Sequence, residues 1–156
     1  MQGGLAWLLI IALAGALAWA CVGDWRSRTI SNRLNAGIAL LAIPFWFAIG
    51  LDPWPGMALQ LALAGGVFLV FALAFALGMM GGGDVKLVTA VSLWLPLGAV
   101  AKLLVVMSIA GGLLTVAMLI AHRRAKGAAP LEIPYGIAIA CGAYWVIGER
   151  IFNQFV

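Results

Sequence analysis

A chain of 156 residues in which 65% are hydrophobic and only 9% are charged is excluded from the soluble globular class, where charged residues make up about a quarter of the total. Its mean hydropathy of +1.14 places it in a bilayer, as an all-α polytopic membrane helical bundle. The length leaves no room for a separate soluble domain, so a single transmembrane domain over residues 1–156 is expected.

A spanning helix needs about 17–25 mostly apolar residues. Taken in chain order, the apolar runs predict about six transmembrane helices, near 4–22, 35–51, 57–80, 85–99, 102–121 and 134–154. Val85 to Ala121 is almost wholly apolar, and Pro96, Gly98 and Lys102 mark the expected turn within it. The first run resembles a signal peptide only loosely. Ala18-Trp19-Ala20 precedes Cys21, but Met1 to Leu5 lacks the basic residues that such a segment carries, so the run reads as a retained helix. Cys21 and Cys141 form no CxxC pair and read as small buried side chains.

Lysine and arginine concentrate on the cytoplasmic side of membrane proteins. Arg26, Arg28 and Arg33 follow the first run, Lys86 the third, and Arg123, Arg124 and Lys126 the fifth. Only Lys102 and Arg150 fall on the other side, a seven-to-two bias that predicts both termini outside the cytoplasm. Trp25 is expected at the inner boundary and Trp54 and Trp94 near the outer one, whereas Trp46 and Trp145 fit neither.

Against this background the acidic residues are informative, because a carboxylate at a membrane boundary is costly and marks a functional candidate. There are five: Asp24, Asp52, Asp84, Glu132 and Glu149. The map puts Asp24 and Asp84 at one membrane depth. Two carboxylates that meet can hydrolyse a peptide, one ionised to take a proton from water and the other protonated to polarise the scissile carbonyl. Singly, each has a simpler reading. Asp84 reads as the N-cap of the fourth helix, Asp24 as a solvated loop residue, His122 as a boundary residue, and Gly81 to Gly83 as a turn or packing surface. Glu132 reads as a helix-start carboxylate, or alternatively as a docking charge for a basic peptide.

Three blocks occur together: Asp24 followed by Arg28-Thr29-Ile30-Ser31-Asn32-Arg33-Leu34-Asn35, then Gly81-Gly82-Gly83-Asp84-Val85-Lys86, then Ile133-Pro134-Tyr135-Gly136-Ile137-Ala138. In this order they resemble the type IV prepilin peptidases, the GxGD class of intramembrane aspartic proteases. That family usually has Pro where Ser31 stands. The resemblance implies that Asp24 and Asp84 are catalytic. It also implies that Gly81, Gly83, Lys86, Asn32, Pro134, Tyr135 and Gly136 bind substrate or support the site. It is closest to the short members that serve tight-adherence (Flp) pili. The long members insert a CxxC-bearing cytoplasmic domain after the first helix and also N-methylate the product; this chain has about ten residues there, so cleavage without methylation is implied.

The implied partner is a prepilin with a short basic leader, a Gly before the scissile bond and a following hydrophobic helix. The implied location is the bacterial inner membrane, multi-pass, with the site at the cytoplasmic face. The lipid bilayer is the other partner, and no nucleic acid, cofactor or metal is expected. A competing reading is a small multispanning transporter or channel component, since boundary carboxylates also serve proton relays. A third reading, a catalytically silent assembly subunit, fits poorly with the presence of both aspartates.

Overall fold

The structure, a computed structural model, describes residues 3–124 and 133–152. Those residues form six helices: α1 (Gly4–Ser27), α2 (Asn32–Ala48), α3 (Ala58–Ala76), α4 (Gly82–Ser92), α5 (Leu97–Arg124) and α6 (Tyr135–Phe152), with one wide turn, Pro53–Met57, leading into α3. The expected all-α membrane bundle is the observed one. α4 occupies the middle, packed on α2, α3 and α6; α1 lies against α2 and α6, and α5 against α6.

The helix ends follow from local chemistry. α1 stops at Arg28, whose left-handed backbone (φ 52°) lets its N–H donate to the Asp24 carbonyl at 3.1 Å. Ser31 caps α2, its Oγ accepting the Leu34 N–H at 3.2 Å, which gives the serine at this position a structural role. α5 and α6 approach closely because Gly142 lies against the Leu103 carbonyl, where an added Cβ would come within 2.9 Å, and Gly111 lies under the Tyr135 ring.

Three helical stretches, Gly4–Ser27, Pro53–Ala76 and Leu97–Arg124, are each long and apolar enough to cross a membrane alone. Their large side chains face outward: Leu8, Ile11, Leu69, Leu73, Ile109 and Leu113 are all exposed. Such a surface belongs in lipid rather than water. The core runs through the middle, from Leu13 and Leu17 of α1 across Leu87, Val88 and Val91 of α4 to Ile139 and Val146 of α6.

The expected fourth span, 85–99, is corrected. α4 has 11 residues, a rise of about 16 Å, against a hydrocarbon core of about 30 Å. The chain turns at Leu93–Pro96, earlier than expected, so Gly98 and Lys102 lie inside α5. Lys102 reaches α6 and pairs with Glu149. α4 therefore ends within the bundle, where its last carbonyls have no water to bond. Side chains supply the donors. Trp46 Nε1 donates to the Leu93 carbonyl at 2.8 Å, and Gln60 Nε2 donates to the carbonyls of Ser92 at 2.8 Å and Leu95 at 2.6 Å. Trp94 Nε1 donates to the Ile38 carbonyl at 3.0 Å and its ring stacks on Phe45. Trp94 is thus a core residue rather than an interfacial one, and so is Trp46. The cysteines also differ from expectation: Cys141 is exposed and Cys21 only half-buried.

Gln60→Leu leaves the Leu95 carbonyl, in the turn after α4, without its donor and the Ser92 carbonyl with only the Leu95 N–H. The expected result is a loss of about 1–3 kcal/mol, read as a lower unfolding midpoint in detergent. An unchanged midpoint would mean that these carbonyls do not depend on Gln60.

Candidate active site

Four helix ends meet at one end of the bundle. The C-terminal turn of α1 brings Asp24, and the N-termini of α2, α4 and α6 bring Asn35, Asp84 and Gly136. Asp24 is not a solvated loop residue: it lies within α1 and is 4% exposed. Its Oδ2 accepts the Gly136 N–H at 2.8 Å, a contact 112 positions apart in sequence. Asp84 is not the N-cap of α4. Gly81 holds that position, and Asp84 sits in the first turn, 9% exposed.

Both carboxylates line the same two adjoining cavities. One, of about 270 Å³, is walled by Arg28, Ile30 and Gly81 to Gly83. The other, of about 460 Å³, is walled by Arg28, Met79, Met80, Ile133 and Tyr135. A larger groove of about 940 Å³ between α5 and α6 holds neither aspartate, so size does not locate the chemistry. Asp84 lies at the tip of a helix too short to span. Burial first, and the neighbouring Asp24 charge second, push its carboxyl up to about 7 from the ordinary 3.8, against the Gly81 N–H that favours the ionised form.

The glycines leave space that the carboxylates occupy. A Cβ on Gly81 would come within 3.0 Å of Asp84 Oδ2, and a Cβ on Gly136 within 2.8 Å of both Asp24 Oδ2 and Ile30 Cδ1. A Cβ on Gly83 would come within 3.4 Å of the Ile30 Cβ and 3.5 Å of that residue's backbone nitrogen and carbonyl oxygen. Pro134 is buried just before α6, and Tyr135 lines the larger cavity.

The expected site residues thus divide. Asp24, Asp84, Gly81, Gly83, Tyr135 and Gly136 come together, with Pro134 setting the start of α6. Lys86 and Asn32 do not join them. Lys86 is two positions beyond Asp84, about 200° around the helix. It donates to Asn32 Oδ1 at 2.8 Å, over a separate apolar groove. Arg28 lines both aspartate cavities and Asn35 braces the glycine run from the Lys86 groove, two placements that sequence reasoning left unassigned. Asn35 Nδ2 donates to the Gly83 carbonyl at 3.1 Å and ties α2 to the glycine run. A polar residue one turn into an apolar helix was its signal. Glu132 lies outside the described residues. Among the described residues no three His, Cys, Asp or Glu side chains cluster.

Gly136→Ala is expected to lower the unfolding midpoint, since its Cβ meets Asp24 and Ile30. Gly148→Ala, which has open space around it inside α6, is the control and should leave the midpoint the same or raise it.

Among curated proteins and solved structures, none matches the chain. Residues 11–116 match the type IV leader peptidase family, a stretch that contains both the Asp24 block and the glycine–aspartate block but stops short of Pro134-Tyr135-Gly136. With more than half its length matched and two buried carboxylates facing shared cavities, the chain belongs to the type IV leader peptidase family.

Proposed function

We propose that this chain is an aspartic endopeptidase with Asp24 and Asp84 as its catalytic pair. It removes the short basic leader of Flp-type prepilins at the cytoplasmic face of the inner membrane, without N-methylation. The observation that carries the reading is that two carboxylates, sixty positions apart in sequence, are both buried and line the same two cavities, of about 270 and 460 Å³. The transporter reading has no comparable support, because both carboxylates lie at one end of the bundle.

The chemistry assigns a role to each. Asp24, whose Oδ2 accepts the Gly136 N–H, takes a proton from water as the water oxygen bonds the scissile carbonyl carbon. Asp84 gives its proton to the carbonyl oxygen, forming a neutral diol. The diol then collapses. The C–N bond breaks, Asp24 passes its proton to the leaving nitrogen, and a diol hydroxyl returns a proton to Asp84. Both groups end as they began.

Cleavage proceeds without methylation because only residues 28–31 separate α1 from α2, too few for an inserted domain. The cytoplasmic orientation rests on Arg26, Arg28, Arg33 and Lys86, which all lie at the helix ends that carry the aspartates.

Co-expression with a Flp-type prepilin should yield a product that has lost the leader mass and gained no methyl. Asp24→Asn and Asp84→Asn should each lower cleavage by at least about 100-fold, the usual scale for removing a general acid or base. Asp52→Asn, exposed at the opposite end, should cleave normally. Substantial cleavage by either site variant would falsify the dyad.

The pH dependence has a defined sign. Asp84 serves as the acid only while protonated, so single-turnover cleavage should fall as pH rises through about 7. Protonation of the base should lower it again on the acidic side, giving a bell whose limbs belong to the pair. Fold stability follows the same sign. A carboxyl with a raised folded value contributes fully below 3.8 and loses that contribution as pH rises through about 7. A cleavage rate flat from neutrality upward, with chemistry limiting, would remove Asp84 from the acid role.

A further inference from the structure

Arg28 is the only non-glycine residue among those described with a positive φ, 52°. It ends α1 in the left-handed conformation that helices usually give to glycine, at a steric cost that glycine does not carry. The backbone role of this position, an N–H donated to the Asp24 carbonyl, needs no side chain. The side chain is nevertheless present, and it lines both cavities shared by Asp24 and Asp84.

The guanidinium is restrained but unsatisfied. It lies over the Trp25 ring, 5.6 Å from the centroid. Its Nη1 is shut from solvent and has no acceptor. Lys102–Glu149 is the only ion pair among the described residues, so Arg28 neutralises neither aspartate by direct contact. A buried donor without an acceptor is costly. Paired with a strained backbone, it marks a position kept for what its side chain binds.

We propose that the Arg28 guanidinium binds a main-chain carbonyl oxygen of the substrate beside the scissile bond, an inference that rests on the peptidase reading. Charge selects the acceptor. Basic leader side chains are repelled by a cation, whereas an extended peptide offers a carbonyl at every residue. The guanidinium is a fixed fork of donors that stays charged, so it can hold the peptide in register without supplying or removing a proton.

The test compares wild type with Arg28→Gly, Arg28→Gln and Arg28→Lys on a full prepilin in liposomes. Glycine relieves the backbone, so Arg28→Gly should unfold at the same or a higher temperature. Its KM should rise about 10-fold or more, the scale of a hydrogen bond to a charged group. Its kcat should stay within a few-fold, and the alkaline limb should stay in place. Arg28→Gln, a neutral donor, should recover part of the loss. An unchanged KM in Arg28→Gly overturns the proposal. So does an alkaline limb that moves while KM does not, with Arg28→Lys restoring it, because the charge would then act on Asp84 instead of on the peptide. A wild type that cleaves no prepilin would sink the peptidase reading separately. Prepilin affinity for Asp84→Asn, with and without Arg28→Gly, still reads the contact: about 10-fold weaker binding supports it, and equal affinities overturn it.

Discussion

A helix that ends inside hydrocarbon must find all its terminal hydrogen bonds within the protein, and α4 imposes that demand on the whole bundle. At its C-terminal end the answer is Trp46 and Gln60, with the Trp94 indole anchoring the turn to α2. These bonds fix α2 and α3 around α4. At its N-terminal end, Asn35 binds the Gly83 carbonyl, and α1 and α6 close over the first turn through the Asp24–Gly136 bond. Asp84 is buried because the face of α4 that carries it packs into the bundle, whereas Lys86 on the opposite face is exposed. A longer, lipid-facing α4 would have carried its aspartate out to water.

That burial decides the electrostatics. Asp84 lies in the first turn of α4, where the helix dipole favours a negative charge by about 0.3–1 kcal/mol. One pKa unit corresponds to about 1.4 kcal/mol, so the dipole and the Gly81 N–H cannot offset a rise to about 7. Desolvation and the Asp24 charge prevail. The outcome matches what a shared-proton pair requires at neutral pH: one carboxyl that is still protonated and one that can accept a proton. Arg28 could have cancelled this by pairing with either aspartate. Its Nη1 remains without an acceptor, and the guanidinium rests on Trp25 instead.

Much of this was legible in the residues. Apolar runs located the six helices of the described residues, though not the length of the fourth, and the rarity of carboxylates in so apolar a chain drew attention to Asp24 and Asp84. What hydropathy could not register was depth. An apolar stretch such as Val85 to Leu95 reads the same whether it crosses the bilayer or stops halfway, because the difference lies in whether distant donors such as Gln60 cap its end. For the same reason Trp94 read as interfacial although its indole serves a buried carbonyl. Proximity to Asp84 in sequence suggested a site role for Lys86, but helical rotation carries Lys86 to the opposite face, where it meets Asn32. Arg28 read as an ordinary boundary charge because nothing local announces a left-handed backbone at an arginine.

The glycines resolve an apparent conflict between burial and hydrolysis. Carboxylates 4% and 9% exposed must still receive water and a peptide backbone. The cavities they line, about 270 and 460 Å³, hold several waters at about 30 Å³ each. Side chains at Gly81 and Gly136 would intrude on the carboxylate oxygens themselves, at 3.0 and 2.8 Å. The carboxylates are therefore shielded by helix packing, and the space beside them is kept open by missing side chains. An extended peptide meets that geometry better than a helical one. Its backbone is narrow enough to pass glycine, and its carbonyls are free to accept from a donor such as Arg28. On the function proposed above, a substrate whose hydrophobic helix stays in lipid while its flexible leader lies outside the membrane would present such a segment to these converging helix ends.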